Sequence, residues 1–168
     1  MTAPHNEKHL VKIIFTVAFF SIVAGGLVYL GCRPTSLYLF KWCGIDEATP
    51  WLSRLREFME GKLPYWAIYE LPAGLWAMSY ALFILPIWQF NLRESIPYLS
   101  VIPTLGLISE ILQLFGMIPG NFDIIDIVSY LLGTALGIGL PLIVRALHDR
   151  TITNKNNTKI QHYEKKYQ

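Results

Sequence analysis

Charge is scarce in this chain. Only 15% of its 168 residues are Asp, Glu, Lys or Arg, and the formal net charge is +2. Soluble domains carry about a quarter charged residues, which excludes an ordinary water-soluble fold. So small a net charge gives no reason to expect a nucleic-acid partner. Histidine is missing where chemistry would need it, because His5, His9, His148 and His162 all lie near the two ends. That excludes an intramembrane haem site, a histidine-based zinc protease and a Ser–His pair inside the apolar region. No metal and no cofactor are expected. Two cysteines, Cys32 and Cys43, suffice for one disulfide in an oxidising compartment and for nothing more.

Apolar sequence is what the chain has in quantity. It is 53% hydrophobic, with a mean hydropathy of +0.38. No Asp, Glu, Lys, Arg or His occurs from Ile13 to Cys32 or from Leu71 to Asn91. A third run, Ser95 to Phe122, is interrupted only by Glu110, and a fourth extends from Ile127 to Val144. A spanning helix needs roughly 17–25 mainly apolar residues. The expected fold class is therefore all-α, an integral membrane bundle of four transmembrane helices. The spans are placed at about 10–30, 65–90, 97–117 and 123–146, within one transmembrane domain of residues 10–147. Polar tails are expected over residues 1–9 and 148–168. Asn156-Asn157-Thr158 fits a glycosylation pattern that such a tail acquires by chance.

Lys8 and Lys12 precede the first run, which ends in Leu30-Gly31-Cys32, like a lipoprotein cleavage site. Tyr29 stands where a small aliphatic residue is normal, and the run exceeds the usual signal core. A retained first span is expected. Between spans one and two, Thr49-Pro50 supplies a helix N-cap and first residue. Trp51, Leu52, Leu55, Phe58 and Met59 then share one face, Arg54, Arg56, Glu57 and Glu60 the other, and Gly61 and Pro64 stop the helix. Too short to span, this amphipathic helix at about 49–61 is expected to lie in the membrane interface. Tyr38, Phe40 and Trp42 read as interfacial aromatics.

Four spans put both ends on one side. That side carries nine Lys and Arg residues and the other carries five, so the positive-inside rule places both termini in the cytoplasm. Glycines within the spans read as packing positions. Gly25-Gly26 offers a smooth face, and Gly133 and Gly137 lie inside a helix with no strand before them, which suits close helix approach and not a phosphate loop.

Glu110 is the most informative residue, because a carboxylate inside a span costs on the order of 3 kcal/mol. It is either interhelical glue or part of a functional site, with Gln113 one turn further on the same face. Asp123 and Asp126 open the fourth span. The first suits an N-cap and the helix dipole; the second is less well explained that way. Arg33 and Glu70 are expected at the same outer level. Glu110 and Asp126 are expected to face each other across antiparallel helices, their depths differing by roughly 7 Å at 1.5 Å per residue.

The segment with Glu110, Gln113, Phe122, Asp123, Asp126 and Gly133 resembles the VanZ-like family. That family's hallmark is Glu-x-x-Gln on one span and Arg-x-Phe-Asp-x-x-Asp-x-x-x-Asn-x-x-Gly opening the next. Gly120 stands in the place of the family's arginine, Tyr130 in that of its asparagine, and Trp76 near that of a histidine common in an earlier helix. The resemblance covers Leu107–Gly139. It implies a divergent member in the bacterial inner membrane, with a cell-envelope or antibiotic-resistance role; the family is named for an accessory protein of teicoplanin resistance. It implies no reaction.

Three functions follow as expectations. The first is an outer-leaflet polar site that engages a membrane lipid, a lipid-linked precursor or an amphiphilic ligand. The second is an intramembrane enzyme on lipid-linked substrates, using Glu110 and Asp126 as acid and base or as ligands of a divalent cation. The third is a small structural subunit that docks on a membrane-protein partner.

Overall fold

A computed structural model describes residues 4–46 and 49–166, with side chains for all of these except 4–7, 38, 39, 148 and 152–166. Every regular element among the described residues is a helix. Three helical stretches are long and apolar enough to cross a membrane: Lys8–Cys32, Leu92–Leu114 and Ile124–Thr151. Leu71–Ile87 is apolar throughout but shorter.

Helix α1 runs from Pro4 to Cys32. It starts earlier than the expected polar tail would allow, with proline in the N-terminal position that its fixed φ favours. Two short helices follow, α2 (Tyr38–Cys43) and α3 (Pro50–Met59). Each gives way to a left-handed glycine, Gly44 at φ 63° and Gly61 at φ 66°. The region expected as one second span divides into α4 (Tyr65–Tyr69) and α5 (Leu71–Ile87). Pro72 has no N–H to offer the carbonyl of Ile68, so the ladder breaks there. The third divides likewise into α6 (Leu92–Leu99) and α7 (Val101–Leu114), where Pro103 leaves the Leu99 carbonyl without its donor.

Helix α8 runs from Ile124 through Lys166, well past the expected end of the fourth span. Its polar extension is helical because propagation from an existing helix needs no new nucleus. Residues 1–3 and 167–168 of the expected tails lie outside the described residues.

Helix α5 is the centre of the bundle, packed chiefly against α8 and α1. Leu10, Ile14 and Ala18 of α1 form one core with Ala81, Leu82 and Leu85 of α5 and with Phe90 and Leu99. The Ser79 hydroxyl donates to the Ala18 carbonyl at 2.7 Å inside this interface. Low residue numbers of α1 thus meet high numbers of α5, and the two helices are antiparallel.

Helices α5 and α8 instead run parallel, since Gly133 lies on Gly74 and Gly137 on Met78 and Ala81. A methyl group at Gly133 would collide with the Gly74 carbonyl, the close backbone approach that small residues permit. Helix α7 packs antiparallel to α8, with Gly106 against the Tyr130 ring.

Two expectations for the connection change. Thr49 does not cap α3 with its side chain; its hydroxyl bonds the Asp46 amide and carboxylate instead, at 3.3 and 3.1 Å. Leu52 is fully buried, and Leu55 and Met59 pack on Gly31, while Trp51 and Phe58 stay exposed. The helix is therefore held against the end of α1 by half of its apolar face. Phe40 is buried and stacks on Tyr29, so it is a core residue and not an interfacial one. Trp42 is exposed, and the Tyr38 side chain lies outside the described residues.

Candidate functional site

The antiparallel pairing of α7 with α8 and the parallel run of α5 beside α8 bring one end of each helix together. Arg33, Glu70, Glu110, Gln113, Asp123 and Asp126 all lie at that end.

Glu110 is buried, with 2% of its surface accessible. One carboxylate oxygen accepts from the Gln113 side-chain amide at 3.2 Å, and the other accepts from the Asp123 backbone N–H at 2.9 Å. Gln113 also donates to the Ser109 hydroxyl. Asp123 accepts from the Ile125 N–H at 2.8 Å, as an N-cap does. These contacts fasten the turn between α7 and α8. Glu110 therefore has both oxygens committed to that turn, and the expected pairing with Asp126 is not its principal contact.

Asp126 has Glu70 as its neighbour. The Glu70 carboxyl lies within hydrogen-bonding reach of it, with Asp123 and Arg33 near enough to contribute to the field. Glu70 is buried at the α4–α5 junction, and its Oε2 atom has no hydrogen-bond partner. Buried polar atoms in folded proteins are nearly always satisfied. Glu70 also borders a cleft of about 200 Å³ between α5 and α8, whose walls include Leu71, Leu75, Met78, Leu132 and Leu136. One acidic group thus meets an apolar trough.

Arg33 does not pair with these carboxylates at ion-pair distance. Its guanidinium sits 4.3 Å from the centroid of the Tyr69 ring and donates to the Tyr69 carbonyl at 3.2 Å. Among the described residues, no three His, Cys, Asp or Glu side chains are grouped as metal ligands. Glu110 and Asp126, named from the sequence as possible ligands of a divalent cation, thus belong to no such group. Cys32 and Cys43 are both free thiols, and the Cys32 sulfur lies 4.0 Å from that of Met59.

Gly120, Tyr130 and Trp76 each take part in a close contact between a glycine and a larger side chain. Gly120, at φ 142°, leaves the place of its absent Cβ to the Gln113 amide group. Tyr130 fills the space over Gly106, and Trp76 that over Gly25. Sequence reasoning missed Arg56, Tyr69 and Tyr130 near this end of the bundle. Arg56 reads as part of a solvated helix face, and only its half-buried position shows otherwise.

The chain matches no protein-family model, no curated protein and no solved structure.

Proposed function

We propose that this chain is a divergent VanZ-like protein of the bacterial inner membrane, with four spans and both termini in the cytoplasm. Its carboxyl site at the outer leaflet engages the cationic or polar part of a membrane lipid, a lipid-linked precursor or an amphiphilic drug. The role that follows is in the cell envelope or in resistance to a glycopeptide such as teicoplanin. The span beyond the three long apolar helices is α4 with α5, second in chain order. The alternating directions of α1, α5, α7 and α8 support this count, and the nine-to-five distribution of basic residues supports the orientation.

One observation carries the reading. Glu70 is buried beside Asp126 with one oxygen unpartnered, at the edge of an apolar cleft. Two adjacent carboxyl groups either share a proton or neutralise a cation, and the cleft beside them suits an alkyl or aryl group. Glu110, Gln113 and Asp123 support the site by holding α8 in register. The enzymatic reading and the structural-subunit reading have no such observation in their favour.

The test is expression in a glycopeptide-susceptible host. The wild-type protein is expected to lower teicoplanin susceptibility, and Glu70→Gln and Asp126→Asn to abolish the effect at equal protein level in the membrane. Equal protection by wild type and both variants would refute the site, and no protection by wild type would refute the role.

A further inference from the structure

A second concave surface lies at the same end of the molecule, between the end of α1 and helices α3 and α4. It encloses about 760 Å³ and includes Arg33, Arg56, Glu57 and Glu60 in its lining, with apolar contributions from Met59 and Ile68. The two arginines are locked together. Arg56 donates from its Nη2 to the backbone carbonyl of Arg33, and Arg33 reaches the carbonyl of Tyr69. The Arg33 guanidinium stacks on Tyr69 at 4.3 Å, and that of Arg56 lies 5.8 Å from the centre of the Phe40 ring.

Both side chains are thus fixed by carbonyls and aromatic faces, neither of which neutralises their charge. Each also has a buried Nε–H with no hydrogen-bond partner. The Nε–H groups face the protein interior, so a ligand in the groove would meet the terminal Nη groups. Two guanidiniums positioned side by side in this way form a recognition element for a phosphoryl group, whose oxygens match the arginine fork.

The remaining charge on the lining decides the class of ligand. Glu57 and Glu60 balance the two arginines, so the surface is zwitterionic and not simply basic. Both carboxylates belong to exposed residues, whereas the arginines are half-buried. A ligand complementary to this layout places its phosphate on the inner arginines and a cationic amine on the outer carboxylates. The exposed Trp51, Phe58, Tyr65 and Trp66 on the flanking helices are suited to a bilayer interface.

We propose that this groove binds a phosphoethanolamine group, with the phosphate on Arg33 and Arg56 and the ammonium at Glu57 and Glu60. The same chemistry occurs in the headgroup of phosphatidylethanolamine and in water-soluble phosphoethanolamine. The site uses neither Glu70 nor Asp126 for binding, although Arg33 lies near enough to contribute to the field at Glu70.

The test uses the full chain in detergent, with retained lipid read by native mass spectrometry and melting temperature read in parallel. The probes are phosphatidylethanolamine, phosphatidylglycerol and soluble O-phosphoethanolamine. Wild type is expected to retain phosphatidylethanolamine over phosphatidylglycerol. The double variant Arg33→Gln/Arg56→Gln should retain at least about tenfold less of it, since the loss of even one charged fork is of that order. Arg54→Gln, on the same helix but outside the groove, should retain it like wild type. Glu57→Gln/Glu60→Gln should erase the preference between the two lipids.

Stabilisation of wild type by O-phosphoethanolamine alone, lost in the arginine variant, would support the site and identify a soluble ligand; its absence beside lipid retention identifies the lipid. Should the double arginine variant fail to fold, Arg56→Lys keeps the charge but loses the fork, and is expected to show a partial loss. Wild-type retention of phosphatidylethanolamine in every foldable arginine variant would overturn the proposal. So would equal retention of phosphatidylglycerol by wild type.

Discussion

The Glu110 carboxylate accepts a hydrogen bond from the backbone N–H of Asp123 at 2.9 Å, across the turn that joins α7 to α8. A residue thirteen positions earlier thus satisfies a backbone donor at the start of α8. Helix N-termini leave such donors unpaired unless something outside the ladder accepts them. Here an acid in an apolar helix is retained for its place in the fold.

Replacing Glu110 should therefore act first on stability. Glu110→Leu strands the Asp123 N–H and leaves the Gln113 amide only its Ser109 partner, and is expected to cost about 1–3 kcal/mol, the penalty of one unsatisfied buried group. Glu110→Gln keeps an acceptor oxygen and is expected to cost about half of that or less. Thermal unfolding in detergent resolves the two, and equal losses would show that the carboxylate oxygens are not what holds the turn.

The parallel contact of α5 with α8 predicts a sharp contrast between two glycines of one helix. Gly133 meets the Gly74 backbone, while nothing lies within 4 Å of the Cβ position at Gly139. Gly133→Ala is expected to destabilise by about 1–3 kcal/mol, as overpacking does, because a carbonyl cannot rotate aside as a side chain can. Gly139→Ala should be neutral or slightly stabilising, alanine being the better helix former. A neutral Gly133→Ala in the same unfolding assay would count against this interface.

An arginine at position 120, where the VanZ-like pattern has one, should not be tolerated. Gly120 adopts φ 142°, and its Cβ position belongs to the Gln113 side chain. Gly120→Arg must therefore strain the backbone and dislodge Gln113 from Glu110. A loss of about 1–3 kcal/mol is expected, the usual range for a non-glycine residue held in such a conformation. A variant as stable as wild type would mean that the turn has a second conformation suited to arginine.

The proposed orientation predicts thiol reactivity. Cys43 is exposed and Cys32 half-buried against Met59. A membrane-impermeant maleimide applied to intact cells under mild reduction should label Cys43 rapidly and Cys32 slowly. Labelling of Cys43 only after permeabilisation would invert the topology.

Much of this protein was legible in its sequence because the relevant physics is local. Apolar runs of spanning length marked the helices, the periodicity of residues 49–61 marked α3, and Asp123 announced the start of α8. The division of α4 from α5 and of α6 from α7 was not read from the apolar runs, although Pro72 and Pro103 account for it, since a missing N–H interrupts the ladder in any context. The spacing of Glu110 and Gln113 put both on one helical face, and they do share a hydrogen bond.

Tertiary structure alone decided the partners. Whether Asp126 meets Glu110 or Glu70 depends on how far α8 is rotated, and that rotation is set where Gly133 and Gly137 seat against α5. The same holds for Arg56, which belongs to a polar helix face by periodicity but is drawn against the Arg33 carbonyl once Leu52, Leu55 and Met59 dock α3 on α1. Helical periodicity fixes which residues share a face. The packing of distant helices fixes what that face meets.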